Sequence, residues 1–242
     1  MNVICSVEDL TISFGNNHVL RNLNFELYEN EVLGIIGPNG AGKTVLLNIL
    51  TGILRPTSGK VVFCGKDVTK TKVVERSKMG FGRTFQVPRS FENMTVYENV
   101  MVGAVYVQGK SEKEAGHIAD EIIDMIGMSD KRDLLVRGIG LLDRKRLEIG
   151  VALAQDPKIL LIDEAAGGLT ESEVAKILEI VSTVKAQGVS VIWIEHVLQT
   201  MLDGTDRILC LAEGRNVICG LPREVMDSKA VKDVYLGDED DE

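Results

Sequence analysis

The sequence has little cysteine, and its cysteines form no pattern that marks a metal site or a disulfide framework. They stand at Cys5, Cys64, Cys210 and Cys219. None forms a C-x-x-C pair and none has a histidine at metal-ligand spacing, so neither a zinc site nor a disulfide network is indicated. Free thiols are typical of the reducing cytosol, and we therefore expect a cytosolic protein.

Long apolar runs are also missing. No stretch approaches the roughly 18 consecutive apolar residues that a membrane-spanning helix requires. The N-terminal segment MNVICSVEDL has no basic region followed by an apolar stretch, so it does not resemble a secretion signal. We expect any role at a membrane to depend on a partner that spans it.

Basic residues are too few for a protein that binds nucleic acid. The 27 lysines and arginines are outnumbered by 36 carboxylates, and the formal net charge is -9. Because nucleic-acid-binding proteins cluster Lys and Arg against phosphates, no nucleic acid partner is expected. Several carboxylates lie in an acidic C-terminal tail at 237–242, which we expect to be a solvated end.

What the sequence does contain is a regular alternation of strand and helix patterns. With 242 residues, of which 45% are hydrophobic, the chain can bury a large core. Two alternating segments within the first thirty residues predict strands, and the apolar runs EVLGIIG, KILLIDEA, VSVIWIEH and DRILCLAEG predict buried ones. Capping boxes begin helical patterns at Thr95, Ser111 and Thr170. We predict a single α/β domain over 1–242 with a mainly parallel sheet and a helical subdomain at about 87–155.

A phosphate-binding loop follows the third predicted strand and fits the pattern G-x-x-x-x-G-K-[ST] between a strand and a helix. In such a loop the glycines let backbone N–H groups close around phosphates, Lys43 reaches the β and γ oxygens, and Thr44 offers a hydroxyl to Mg²⁺. A chance glycine turn is the alternative, and the strand–loop–helix context argues against it. The loop consists of Gly37, Pro38, Asn39, Gly40, Ala41, Gly42, Lys43 and Thr44.

An acidic pair ends the apolar strand ILLIDE. Asp163 is placed to hold Mg²⁺, and Glu164 is placed to orient or deprotonate an attacking water. Alone, such a pair is usually an ordinary strand end. Together with the phosphate-binding loop it indicates phosphoryl-transfer chemistry.

With these motifs the chain resembles the nucleotide-binding subunits of ATP-binding cassette (ABC) transporters over essentially its whole length. Gln86 in RTFQVPRSF resembles the glutamine that contacts Mg²⁺ or water and faces the membrane subunits. His196 in VIWIEHVL resembles the switch histidine that contacts the γ-phosphate. Phe14 stands where the family has an aromatic stacked on adenine, with Val19 nearby, and Val45 stands where a hydroxyl usually touches the α-phosphate. Singly each residue has a structural alternative, but the order of the motifs favours the functional one.

The resemblance implies a P-loop NTPase core of ABC ATPase type, with an N-terminal antiparallel β part and an inserted helical subdomain. It also implies ATP and Mg²⁺ as cofactors, hydrolysis coupled to transport, and transmembrane permease subunits that hold the protein at the inner face of the cell membrane. The segments GPNGAGKT, RTFQVPRSFENMTVYENVMVGA and VKDVYLGDED are most similar to the branch that imports branched-chain amino acids. Relatives in that branch import urea or other small polar solutes.

The segment GIGLLDRKRLEIG departs from the family where its signature helix begins. The resemblance aligns Ile139, Gly140, Leu141, Leu142 and Asp143 with Leu-Ser-Gly-Gly-Gln, which in the family binds the γ-phosphate of ATP held by the other subunit. Gly140 lacks the hydroxyl, and Leu142 adds a side chain where backbone must approach phosphate. We expect Asp143 to place a carboxylate near the phosphate and to occupy the N–H groups at the helix start. The alternative is that the following three basic residues bind the phosphate, and we expect them to point away over a helix turn.

Two more departures, Ala165 for the usual proline and Thr170 for the usual Asp or Asn, also lie near the acidic pair. Most of the departures fall in elements that serve the partner's nucleotide, whereas the chain's own loop and acids are intact. We therefore predict a heterodimer with a second ATPase subunit that has an intact signature. The alternatives are a non-transport ABC ATPase in assembly or regulation, such as iron–sulfur assembly, and a nucleotide sensor without turnover, which the intact Glu164 disfavours.

Overall fold

A computed structural model describes residues 2–236, so the predicted acidic tail at 237–242 lies outside the described residues. The strands are β1 (Val3–Phe14), β2 (Asn17–Tyr28), β3 (Val32–Ile36), β4 (Ser58–Phe63), β5 (Lys66–Asp67), β6 (Phe81–Arg83), β7 (Ile159–Asp163), β8 (Ser190–Ile194), β9 (Arg207–Ala212) and β10 (Arg215–Gly220). The α-helices are α1 (Lys43–Leu50), α2 (Val73–Met79), α3 (Val96–Tyr106), α4 (Glu112–Met125), α5 (Leu141–Leu153), α6 (Glu171–Ala186), α7 (Leu198–Gly204), α8 (Pro222–Asp227) and α9 (Lys229–Leu236).

The N-terminal part of the chain forms an antiparallel sheet in the order β2, β1, β4, β5. The first two strands were predicted from their alternation, and in both of them buried residues recur on one face. This sheet covers α1 and one face of the second sheet, because apolar residues of all three share one buried cluster.

The second sheet has the order β10, β9, β3, β8, β7, β6, and all of its neighbours pair in parallel except β10 with β9. Strands β3, β7 and β8 are buried at every position, as their continuous apolar runs predicted. The carboxyl ends of β3, β8, β7 and β6 therefore lie side by side, although the strands are far apart in the chain.

Two apolar cores lie on opposite faces of this sheet, and successive residues of one strand alternate between them. In β8, Trp193 packs in the core shared with the helices, whereas Ile192 and Ile194 pack in the core shared with the antiparallel sheet. This period of two is what a strand buried on both faces requires.

Three helices, α3 to α5, lie between β6 and β7, where the helical insertion was predicted. The hydroxyls of Thr95 and Ser111 accept hydrogen bonds from the backbone N–H groups of Glu98 and Glu114, so both capping boxes are formed. The predicted α/β fold, with an antiparallel N-terminal part and a helical insertion, is confirmed.

The sequence patterns did not predict β6, β10 or the short helices α2, α7, α8 and α9. In β10 no residue is fully buried, so the strand has no apolar alternation to recognise. It is an edge strand, and it is recognised only from its pairing with β9 in the folded sheet.

Candidate functional site

The phosphate-binding loop joins β3 to α1 and depends on its glycines. At Gly37 a Cβ would lie 2.1 Å from the carbonyl oxygen of Leu211, so no larger residue fits there. Gly42, with φ of 99°, takes the left-handed conformation immediately before α1. These two positions let the loop turn tightly and direct its N–H groups towards the space above the N-terminus of the helix.

Lys43, the first residue of α1, folds back across this loop. Its Nζ donates to the carbonyl oxygens of Gly37 at 2.6 Å and Pro38 at 2.9 Å. Burial lowers the pKa of Lys43, and the nearby carboxylates of Glu164 and Asp163 oppose that shift. A buried ammonium group at a helix N-terminus is a site that favours an anion.

A cavity of about 350 Å³ opens beside the loop. Residues 39–45 line it, and so do Asn17, Val19, Glu164 and His196. The predicted residues from Asn39 to Val45 and Val19 are therefore brought together. Phe14, predicted to stack on adenine, is not among the lining residues, but it pairs with Asn17 across the hairpin and is 50% exposed.

Two predicted residues, Gln86 and His196, both contact the predicted residue Glu164. Its Oε2 accepts from Nε2 of Gln86 at 2.5 Å, and its Oε1 lies 2.7 Å from Nε2 of His196. Glu164 has φ of 52°, a left-handed conformation that is uncommon outside glycine and that is enriched at functional sites. Its backbone N–H donates to the carbonyl of Ile194, which ties the residue to the end of β8.

Asp163, the last residue of β7, is held by a guanidinium that the motifs did not reveal. Arg83 of β6 lies 3.2 Å from Asp163 Oδ2 and also donates to Asn48 Oδ1 of α1 at 2.6 Å. Burial raises the pKa of Asp163, and the charge of Arg83 opposes the shift. Arg83 therefore links β6, β7 and α1 beneath the site.

The N-terminus of α5 differs from what the sequence indicated. Gly140 precedes the helix without a side-chain cap, and Asp143 accepts from Lys131 Nζ at 2.6 Å. The prediction that Asp143 occupies the N–H groups at the helix start is wrong, because the ammonium of Lys131 takes its carboxylate. Leu142 is half-buried against the apolar core, whereas Leu141 is 46% exposed.

Three further charged residues near the site were missed as functional candidates. Lys145, which we expected to point away with its basic neighbours, is buried, and its Nζ donates to the backbone carbonyl of Glu164 at 2.8 Å. Glu148, also on α5, accepts from the backbone N–H groups of residues 85 and 89. Glu195 accepts from the N–H of Ala166 at 2.5 Å. Only Glu195 left a signal in the sequence, as a carboxylate at the end of an apolar strand.

Comparison with known proteins shows the family to which the chain belongs. Residues 20–167 match the ABC transporter family. The chain belongs to the ABC transporter family. It is an ATP-binding, ATP-hydrolysing subunit of an ABC transporter, as the motifs predicted.

Two curated relatives show how the ABC ATPase compares over its whole length. It is 32% identical to the lipopolysaccharide export system ATP-binding protein LptB of Haemophilus influenzae, with 98% of each chain covered. It is 31% identical to the high-affinity branched-chain amino acid transport ATP-binding protein LivG of Escherichia coli, with 97% of this chain and 98% of LivG covered. One relative therefore belongs to a lipopolysaccharide export system, and the other belongs to a transport system for branched-chain amino acids.

Solved structures show the same likeness. The crystal structure of an ATP-binding cassette of an ABC transporter in its ADP conformation matches with a TM-score of 0.88 and 28% identity, covering 98% of this chain and 100% of that one.

Among residues 2–236, no helix has the length and apolar composition needed to cross a membrane.

Proposed function

We propose that this ABC ATPase hydrolyses ATP in the cavity beside its own phosphate-binding loop, with Glu164 as the group that activates water. The observation that carries the proposal is the convergence of Gln86 and His196 on the Glu164 carboxylate at the edge of that cavity. A carboxylate held at both oxygens has a defined orientation, and this is what a general base or water-orienting group needs.

The proposed chemistry is an in-line displacement at the γ-phosphorus. The loop N–H groups and Lys43 hold the β and γ oxygens, and Glu164 accepts a proton from the attacking water. The new bond joins the water oxygen to phosphorus, and the bond to the β–γ bridging oxygen breaks, leaving ADP and inorganic phosphate. His196, 41% exposed at its side chain, is free to contact the γ-phosphate as well as Glu164.

The residues present fit a magnesium ion. Thr44, Asp163 and Gln86 offer a hydroxyl, a carboxylate and an amide oxygen, and Mg²⁺ in phosphoryl-transfer sites is held by one or two carboxylates together with phosphate oxygens. Bound there, Mg²⁺ would withdraw charge from the β and γ oxygens. Among these three residues, Asp163 has its carboxylate oriented by Arg83, which lies 3.2 Å from its Oδ2.

We further propose that the cargo is an amino acid or a similar small polar solute that the transporter imports. The importer-like motifs and the likeness to LivG support this, whereas the likeness to LptB favours lipopolysaccharide export. In cells that lack this subunit, import predicts lost uptake of radiolabelled leucine or a related solute, restored by the wild-type gene and not by its Lys43→Ala form. Normal uptake of a panel of such solutes, with lipopolysaccharide depleted from the cell surface, would reject import.

We propose that the permease subunits contact the loop that carries Gln86, and that this contact lies at the cytosolic face of the membrane. Val87 is 73% exposed and Phe91 is 55% exposed, and the backbone of Phe91 is fixed because its N–H donates to Asn99 Oδ1 at 2.7 Å. A photo-crosslinker at Val87 should capture an integral membrane protein in detergent extracts. The same crosslinker at Val3, an exposed valine at the start of β1, should not. Capture of a soluble protein alone would favour an assembly or regulatory role.

The proposed partner in hydrolysis is a different ATPase subunit with an intact signature. Here the N-terminus of α5 offers no hydroxyl at Gly140, and it presents the exposed side chain of Leu141. The isolated chain should hydrolyse ATP slowly, and its Glu164→Gln form should stay monomeric with ATP in light scattering. In the native assembly, Glu164→Gln here should nearly abolish turnover, and the equivalent change in the partner should leave much of it. A tight ATP-bound homodimer with brisk turnover would contradict the proposal.

A further inference from the structure

Helix α5 has three buried charged residues, Asp143, Lys145 and Glu148, and the last two lie one turn apart. Lys145 and Glu148 are 7% and 8% exposed, whereas most charged residues of a surface helix are solvated. Charges are buried in proteins only where they are paired or hydrogen-bonded, so their partners show what each of them does.

The carboxylate of Glu148 holds the loop that carries Gln86. Its Oε2 accepts from the N–H of Phe85 at 3.0 Å, and its Oε1 accepts from the N–H of Arg89. These two donors stand on either side of Gln86 in the chain. One carboxylate therefore fixes the backbone before and after the glutamine.

The ammonium of Lys145 holds the backbone of Glu164. Its Nζ donates to the carbonyl oxygen of Glu164 at 2.8 Å, at the residue whose φ of 52° is unfavourable for a side chain with a Cβ. Such a conformation persists only where the surroundings hold it in place, and the hydrogen bond from Lys145 is one of the contacts that do so.

Both segments are thus attached to a single rigid helix, and they are the two segments whose side chains meet. Phe85, Lys145, Glu148 and Glu164 line one small void between α5 and the site. We propose that Lys145 and Glu148 are positioning residues for hydrolysis, which together set the placement of Gln86 against Glu164. The proposal rests on the assignment of Glu164 as the water-activating group.

Hydrogen exchange of the isolated full-length chain tests the placement without any turnover. Glu148→Gln should accelerate amide exchange in residues 84–91, and Lys145→Met should accelerate it in residues 163–167. Each variant should leave exchange in the antiparallel sheet unchanged. Glu121→Gln and Lys113→Met, which change exposed residues of α4, serve as matched controls and should have no effect. Unchanged exchange in both segments would overturn the proposal.

Steady-state kinetics of the chain co-purified with its native partners tests whether this placement affects ATP hydrolysis. Because a shift of about 1 Å in a catalytic group costs about 100-fold in rate, we expect kcat to fall about 10-fold to 100-fold with KM little changed. Lys145→Arg keeps an N–H donor and should recover much of the rate. If Lys145→Met is unstable, Lys145→Leu, which also lacks an N–H donor, gives the same comparison. Equal changes in kcat and KM, or no rescue by arginine, would indicate a purely structural role.

A double variant separates this proposal from the assignment of Glu164. In a Glu164→Gln background, Lys145→Met should cause little further loss of turnover, because the group it positions is already absent. The same fractional loss in both backgrounds would overturn the positioning role. If Glu164→Gln alone leaves turnover normal, it is the assignment of Glu164 that fails, whatever the exchange data show.

Discussion

Gln86 donates a hydrogen bond to the carboxylate of Glu164 over 2.5 Å, although 78 residues separate them in the chain. The amide follows β6 and the carboxylate follows β7, and these two strands are parallel neighbours. The pair therefore exists only because the sheet brings the two strand ends together.

Glu164→Gln should slow hydrolysis by about 100-fold or more and leave nucleotide affinity nearly unchanged, because an amide has the same shape but accepts no proton. Phosphate release from the native assembly measures the rate, and a fluorescent ATP analogue measures the affinity. Glu179→Gln, at an exposed position of α6, is the control. Normal turnover in Glu164→Gln would assign the role to another residue.

Lys43→Ala should lower the affinity for Mg-ATP about 10-fold to 100-fold, because charge-assisted hydrogen bonds to the phosphates are lost. The buried ammonium bound to the carbonyls of Gly37 and Pro38 is the group that would meet them. Titration with a fluorescent ATP analogue measures the change, and Lys60→Ala, on the exposed face of β4, should bind normally. Unchanged affinity in Lys43→Ala would remove the proposed phosphate site.

Leu141 and Leu142 provide a matched pair that tests the orientation of α5. Leu142→Ala should cost about 1–3 kcal/mol of the free energy of unfolding, since a half-buried leucine loses packing and leaves a partial cavity. Leu141→Ala, at a position 46% exposed, should cost less than about 0.5–1 kcal/mol. Urea unfolding measures both values. Equal costs, or the reverse order, would show that the helix begins in a different orientation.

Glu195 predicts a pH dependence of stability. Burial raises the pKa of this carboxyl above 4.5, against the N–H groups of Ala166 and His196 and the charge of Lys145. The folded state therefore holds the proton more tightly than the unfolded state. The contribution of Glu195 to stability is fully present below pH 4.5 and is lost as the pH rises through the folded-state pKa.

Replacing Glu195 by glutamine should make the fall in stability over that range shallower, whatever its effect at a single pH. Urea unfolding at several pH values from 4 to 8 measures the slope, with Glu179→Gln as the control. Part of the slope should persist, because burial also raises the pKa values of Glu148 and Asp163. A steeper slope in Glu195→Gln would show that the sign of the shift is wrong.

The sequence by itself determined the features that depend on short range. The strand–glycine loop–helix order of residues 32–50 follows from local conformation, since Gly37 and Gly42 have φ of 152° and 99°, which residues with a Cβ rarely adopt. The apolar runs of β7 and β8 and the capping boxes of α3 and α4 are likewise local, so their secondary structure could be predicted without knowing what packs against them.

Only the tertiary structure decided which residues meet. Periodicity could not show that Lys145 is buried under Glu164, because a lysine on a helix is solvated unless another segment covers it, and that segment comes from β7. Nor could it show that Lys131 takes the carboxylate of Asp143 or that Leu142 faces inward. These contacts depend on the order of the strands in the sheet and on the angle at which α5 packs, and both are set by long-range packing.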